Sequence, residues 1–243
     1  SVRVVGDVSA EDVRAALQGL STRWRKVDIT LPQEAATASP EASKIYFYDI
    51  PGASQSVLRF GYPSLKRMDP DYDLAGVMNY RLGGGGFASR LTQELREGKG
   101  YTYGIGSDFT ATAGEGTFMI FSGVRSNVTL EATQLVRDIM ADYASTFTQE
   151  DLDVTRGFFI RSQARRFESL GAKLDVLSEI AGYDLPNDFV VQQVAAVEAL
   201  TLPEIQALAG KLIRPDAMNY VIVGDAATQL PRLKSLGFGD PVV

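Results

Sequence analysis

The sequence predicts an α+β fold, a two-layer sandwich in which a mainly antiparallel sheet has helices packed on one face. Three observations carry this expectation. Apolar and polar residues alternate with period two in several runs between residues 44 and 125, as half-buried strands do. Apolar stripes at helical spacing dominate from 129 to 212. A β-branched run at 220–224 then returns as a last strand. A doubly wound parallel sheet needs regular strand–helix alternation, and that is missing. With 45% hydrophobic residues among 243, the apolar content is ample for a packed core.

Residues 2–17, VRVVGDVSAEDVRAAL, read as a short β-branched strand, a Gly6-Asp7 turn and a helix capped by Ser9. Residues 220–237, YVIVGDAATQLPRLKSLG, repeat strand, Gly224-Asp225 and helix in the same order. Such an echo signals duplicated units, of which the first keeps only its closing strand and helix. The alternative is two unrelated strand-to-helix turns that share Gly-Asp. On the first reading, residues 1–31 end a preceding related domain. Residues 32–43 contain Pro32 and Pro40 and almost no large apolar side chain, the composition of a linker. Residues 44–243 then form a domain of their own.

Within that domain, 44–50 and 54–62 read as strands joined by a turn at Pro51-Gly52. Asp69 is expected to cap a helix with Pro70 in its first position and Leu74, Val77 and Met78 on its apolar face. Strands at 101–112 and 117–125 follow, with Gly114, Glu115 and Gly116 as their hairpin turn. Three helical stripes come next: Val136, Ile139, Met140 and Tyr143; Leu152, Thr155, Phe159 and Ser162; Leu170, Leu174, Leu177 and Ala181. Thr148 with Asp151, and Thr201 with Glu204, mark helix starts of capping-box type.

The most specific stretch is 81–104, RLGGGGFASRLTQELREGKGYTYG. Gly83, Gly84, Gly85 and Gly86 stand between two amphipathic helical patterns. Four consecutive glycines lose much conformational entropy on folding, so the run points to close backbone approach or to movement; a helix C-cap with a loose loop is the plainer alternative. Phe87, Leu91 and Leu95 form a stripe expected to dock the second helix, leaving Arg90, Glu94 and Glu97 outward. Arg96 lies off that stripe, seven residues before Tyr103.

Composition excludes several chemistries. Without His or Cys there is no Ser-His-Asp or Cys-His nucleophile, no disulfide and no ordinary zinc site, so no metal or cofactor is expected in this chain. Glu94 and Glu97 at i, i+3 read as a solvated helix face, not as metal ligands. A formal charge of −6 opposes nucleic acid as a partner, and Arg156, Arg161, Arg165 and Arg166, flanked by acids, read as a solvated face. No apolar run approaches the roughly 20 residues of a membrane span, and no signal peptide is legible. A soluble protein of bacterial periplasm or cytoplasm is expected. A self-contained enzyme built on carboxylates such as Asp108 and Glu115 is the least supported alternative.

The pattern G-G-G-x-x-S-R-L-x-x-x-L-R-E-x-x-G-x-x-Y at 84–103 resembles the C-terminal, zinc-free domain of the pitrilysin and insulinase family of inverzincin metallopeptidases. The resemblance covers about residues 44–225, and 2–31 look like the tail of the preceding half. It implies a two-half enzyme enclosing a chamber, whose other half carries H-x-x-E-H and its zinc, either fused upstream or as a separate subunit. It further implies that Arg96 and Tyr103 hold an extended peptide substrate, and that this chain alone hydrolyses nothing. Chemistry agrees, since a guanidinium fork and a phenolic O–H both donate to peptide carbonyls. Arg96 and Tyr103 are expected to converge on one concave surface, free of intramolecular partners, with only one of Tyr101 and Tyr103 entering the site. The glycine run is expected near the junction of the halves, where it could serve as a hinge. A relative that has lost peptidase activity and serves as a structural or assembly subunit is the alternative.

Overall fold

Five strands make one open sheet whose spatial order is not their chain order. In chain order they are β1 (Lys44–Asp49), β2 (Gln55–Ser64), β3 (Thr102–Thr110), β4 (Gly116–Arg125) and β5 (Asn219–Gly224). Across the sheet they run β1-β5-β2-β4-β3 in this computed structural model, which describes residues 2–25, 27–30 and 37–243. The last strand inserts between the first two, parallel to β1 and antiparallel to β2. The other pairings, β2 with β4 and β4 with β3, are antiparallel. The predicted α+β layering is therefore observed.

Burial alternates along β4 without a break from Gly116 to Arg125, as period-two strands require. Ile45, Phe47, Leu58, Phe60, Phe118, Ile120, Tyr220 and Ile222 face a single core shared with the helices. That layer includes α2 (Tyr72–Asn79), α3 (Thr129–Thr146), α4 (Gln149–Ser162), α7 (Leu202–Leu212) and α8 (Ala226–Leu233). Val136, Met140 and Tyr143 of α3 are buried as predicted, and the Tyr143 hydroxyl donates to the Met78 carbonyl at 2.6 Å. The Asp151 carboxylate accepts from the Thr148 backbone N–H at 3.0 Å, closing the expected capping box.

Three local expectations need correction. Helix α2 begins at Tyr72, because the Asp69 carboxylate accepts from the Asp71 N–H at 2.9 Å and so closes a turn ahead of the helix. In α5 (Leu170–Tyr183), Leu170, Leu174 and Leu177 are exposed; Val176 is the buried position, packed with Phe189 and Val190 of α6 (Phe189–Ala199). Two apolar stripes compete on that helix, and the smaller one faces inward. The arginine-rich face is partly engaged: Arg156 donates to the carbonyls of Val197 and Leu200 at the end of α6, and Arg166 pairs with Glu179 at 3.1 Å.

At the other end, α1 (Ala10–Arg23) has the predicted Ser9 cap, with the Asp12 carboxylate completing the box. Residues 2–5 pair with no strand among the described residues, contrary to the expected strand, because nothing in this sheet lies beside them. None of the residues before 31 whose burial is described belongs to the buried core. Of the predicted linker, 32–36 lie outside the described residues.

Candidate functional site

The glycine segment links two stretches of widened helix. After Asn79 the chain turns in π register, with the Gly85 N–H bonded to the Tyr80 carbonyl five residues back at 2.8 Å. A second π stretch covers Thr92–Gly98, and the Lys99 N–H reaches the Glu94 carbonyl at 3.0 Å. Such i→i+5 turns are rare and concentrate at functional sites. Two of the glycines, Gly83 and Gly85, are packed against backbone here, and a third is held at positive φ. A Cβ on Gly83 would lie 2.5 Å from the Ser107 backbone nitrogen of β3, one on Gly85 would lie 2.5 Å from the Tyr80 carbonyl oxygen, and Gly86 has φ +56°.

Arg81 and Arg90 bracket this segment and converge on one carboxylate. Asp151 is 7% exposed and receives Arg81 Nε and Arg90 Nη2, each at 2.7 Å. Burial raises the Asp151 pKa, but the Thr148 N–H and the two arginines outweigh it and hold the carboxyl below the usual aspartate range. Arg90 is thus an anchoring group, not the outward residue expected, while Glu94 and Glu97 do face outward. Phe87 leaves the predicted stripe as well. It sits in a short 3-10 turn before Ser89, which bonds Thr92 and opens the next helix, so Phe87 is exposed while Leu91 and Leu95 are fully buried.

Tyr103 owes its position to an extra residue in β3. Thr102 pairs with Val124 and Ile105 with Ser122, so three steps on β3 match two on β4. Hydroxyls fill the interrupted ladder: Thr102 Oγ1 accepts from the Gly104 N–H at 3.0 Å and donates to the Gly123 carbonyl at 2.7 Å, and Ser122 Oγ bonds the Gly104 carbonyl at 3.0 Å. A bulge re-aims the side chain it carries, and Tyr103 is 91% exposed. Tyr101, just before β3, packs partly against the core yet also lines the cavity shared by Arg96 and Tyr103, so both tyrosines enter it, against the expectation.

Arg96 and Tyr103 line the same cavity of about 410 Å³, with Gln55 and Arg125 on its rim. Among the described residues Tyr103 has no hydrogen bond. Arg96 is not free: its Nε lies 3.2 Å from a Glu97 carboxylate oxygen, and its guanidinium sits 4.6 Å from the centre of the Phe87 ring. Both contacts are surface contacts of modest strength, so the guanidinium is pre-oriented without being buried. Asp108 and Glu115, the carboxylates of the least supported alternative, are exposed and lie apart, one within β3 and one in the hairpin turn. The donor set does not fit a zinc ion, since the sequence has no His or Cys and no group of three potential ligands occurs among the described residues. Asn79, whose Nδ2 donates to the Ser107 carbonyl of β3 at 2.7 Å, carries the geometry together with Thr102, Ser122 and Asp151; of these only Asp151 left a signal in the sequence, as part of a capping box.

Comparison with known proteins places the fold in a family. Residues 1–157 match the family described as the peptidase M16 inactive domain. The chain is 31% identical to a crystal structure of a peptidase M16 inactive domain from Pseudomonas fluorescens, with a TM-score of 0.79 over 90% of this chain and 52% of that one. A protease from Helicobacter pylori shares the fold at a TM-score of 0.80 and 16% identity, over 90% and 54% of the two chains. Curated relatives include the non-peptidase homolog YmxG of Helicobacter pylori, 26% identical over 78% of this chain, and an uncharacterized zinc protease of Streptomyces coelicolor, 29% identical over 64%. The alignments span 43% and 34% of those two proteins, so this chain corresponds to less than half of each. With more than half of its length matched, the chain belongs to the peptidase M16 family, as an example of its inactive domain.

Proposed function

We propose that this chain is the substrate-binding half of a two-half zinc peptidase, with Arg96 and Tyr103 gripping the backbone of an extended peptide. The observation that carries the reading is that the exposed, unbonded Tyr103 and the half-exposed Arg96 line one cavity. A strand aromatic held only for packing would bury its ring, and this one is thrown outward by a bulge. Two donors in one cavity suit successive peptide carbonyls, or one carbonyl as negative charge develops on it. The zinc, the activated water and the general base would come from a partner half bearing H-x-x-E-H, fused or separate. The glycine segment would flank the junction, with Asp151 holding both its ends.

The test pairs the chain with its zinc-bearing half and follows cleavage of an extended peptide. Tyr103→Phe and Arg96→Ala should each lower kcat/KM by roughly 10- to 1,000-fold, the scale of losing one preorganised donor, with little change in stability. Wild-type turnover in Tyr103→Phe would remove Tyr103 from the site. A second reading, a peptidase-like structural subunit, draws on the name of the YmxG relative. It requires both variants to assemble normally and to alter no cleavage.

A further inference from the structure

The face of the sheet turned away from the helices is locally basic. Lys44, Arg59 and Arg125 project from it, and the only carboxylate at its strand positions is Asp108. None of the three cations forms an ion pair among the described residues, whereas Arg67, Arg81, Arg90, Arg166 and Arg232 on the helical side are all paired. In a chain of net charge −6, this face is a local exception.

Arg59 stands at its centre, on the middle strand β2, directly opposite Phe121 of β4 and Val221 of β5. Its guanidinium lies 5.9 Å from the Phe121 ring centre and donates to the Leu58 carbonyl at 2.9 Å. Beside it is a depression of about 220 Å³ with Met119, Val221 and Asn219 among its walls. Gly61 lines its floor, and a Cβ there would lie 2.6 Å from the Phe118 carbonyl oxygen. The hollow offers apolar walls to methylenes and one unpaired guanidinium to a carboxylate, which Arg binds in fork geometry.

Resting on the peptide-binding reading, we propose that Arg59 is a specificity residue that selects an acidic side chain, glutamate above all, in the bound peptide. Tyr103 lies level with Gly123 and hence with Val57, two residues along β2 from Arg59 and two strands across. Strand spacings make that about 12 Å, the span of three or four residues of extended peptide. The acidic residue therefore sits three or four positions from the carbonyl that Tyr103 holds.

The test uses this full chain and end-blocked neutral ten-residue peptides in which a single Glu is walked along the sequence, each matched to its Gln counterpart. Titration calorimetry should show one Glu position favoured over Gln by roughly 10- to 100-fold, the worth of a hydrogen bond to a charged group. Arg59→Gln should abolish that ratio, and Arg59→Glu should reverse it in favour of a Lys peptide. Tyr103→Phe should weaken Glu and Gln peptides alike and leave the ratio standing. Equal binding of Glu and Gln peptides by the wild type, or an undiminished ratio in Arg59→Gln, overturns the proposal and leaves the peptide-binding reading intact. Failure of every peptide to bind overturns both.

Discussion

Replacing Asp151 with Asn tests whether the carboxylate beneath the glycine segment holds it in place. The side chain keeps its shape and loses its charge, so Arg81 and Arg90 face a neutral amide and the α4 cap loses its anion. Breaking a buried ion pair from one side costs about 3–5 kcal/mol. Here both guanidinium groups keep about a quarter of their surface in water, at 25% and 21%, and hydration recovers part of that. The expected loss is about 2–3 kcal/mol, a fall in Tm of about 4–12 °C for a chain of this size. Urea and thermal unfolding followed by circular dichroism would measure it, with Asp153→Asn as the control; Asp153 meets Arg156 at 3.2 Å on the surface and should cost under about 0.5 kcal/mol. The difference should also depend on pH. With the folded pKa of Asp151 depressed, its contribution is complete above the unfolded value of about 3.9 and lost as pH falls through the lower folded value. The gap between wild type and Asp151→Asn should therefore be constant from pH 5 to 7 and close below about pH 4. A loss no larger than that of Asp153→Asn, or a gap that persists in acid, refutes the reasoning.

Two further outcomes follow from the site. Gly83→Ala places a Cβ against the Ser107 backbone, which cannot yield as a flexible side chain would, and should cost about 1–3 kcal/mol of unfolding free energy in urea, whereas Gly76→Ala, with open space around it, should cost nothing. Thr102→Val removes the hydroxyl that fills the bulge while keeping the side chain's volume; in the assembled enzyme it should lower kcat/KM about as far as Tyr103→Phe does, and normal turnover would show that the bulge does not position Tyr103.

Strands were legible where one face is buried and the other is not. Along β1, β2 and β4 the inward residues are large and apolar, and alternation alone found them to within a residue or two. The caps at Ser9 and Thr148 were legible because they need only neighbours three residues away. What failed had a different periodicity or a distant cause. Phe87, Leu91 and Leu95 keep helical spacing in the sequence, yet a 3-10 turn, the Ser89 cap and a π stretch interrupt the helix that spacing assumes. On α5, the stripe of Leu170, Leu174 and Leu177 was the more apolar, but tertiary packing chose Val176. The insertion of β5 between β1 and β2 depends on pairing between the two ends of the domain, from Gly61↔Asn219 outward, on which local patterning is silent. Arg96 and Tyr103 were singled out through the motif around them, but the bulge that exposes Tyr103 was not legible, because Thr102 and Ser122 are ordinary strand residues until the register breaks between them.

The distribution of satisfied and unsatisfied surface bears on where a partner would sit. An extended peptide can join a protein by adding a strand to a sheet edge or by lying across a face. The edge at β3 is closed over much of its length: the carbonyls of Ile105, Ser107 and Phe109 accept from Thr92 Oγ1 at 3.2 Å, Asn79 Nδ2 at 2.7 Å and the Tyr72 hydroxyl at 3.3 Å. The edge at β1 is partly occupied too, since Phe47 N–H bonds the Val242 carbonyl at 2.7 Å and Val242 N–H the Ile45 carbonyl at 2.9 Å. Proteins protect edges in this way against unwanted strand addition. The outer face has no comparable cover. Val57, Met119, Phe121 and Val221 are exposed there as neighbours around Arg59, an apolar surface of the kind that marks a site of contact. Edges closed by side chains and a face left open favour a partner that lies flat over β2 and β4 and reaches Tyr103 and Arg96 at the rim, where the bulge presents a donor instead of a free ladder position.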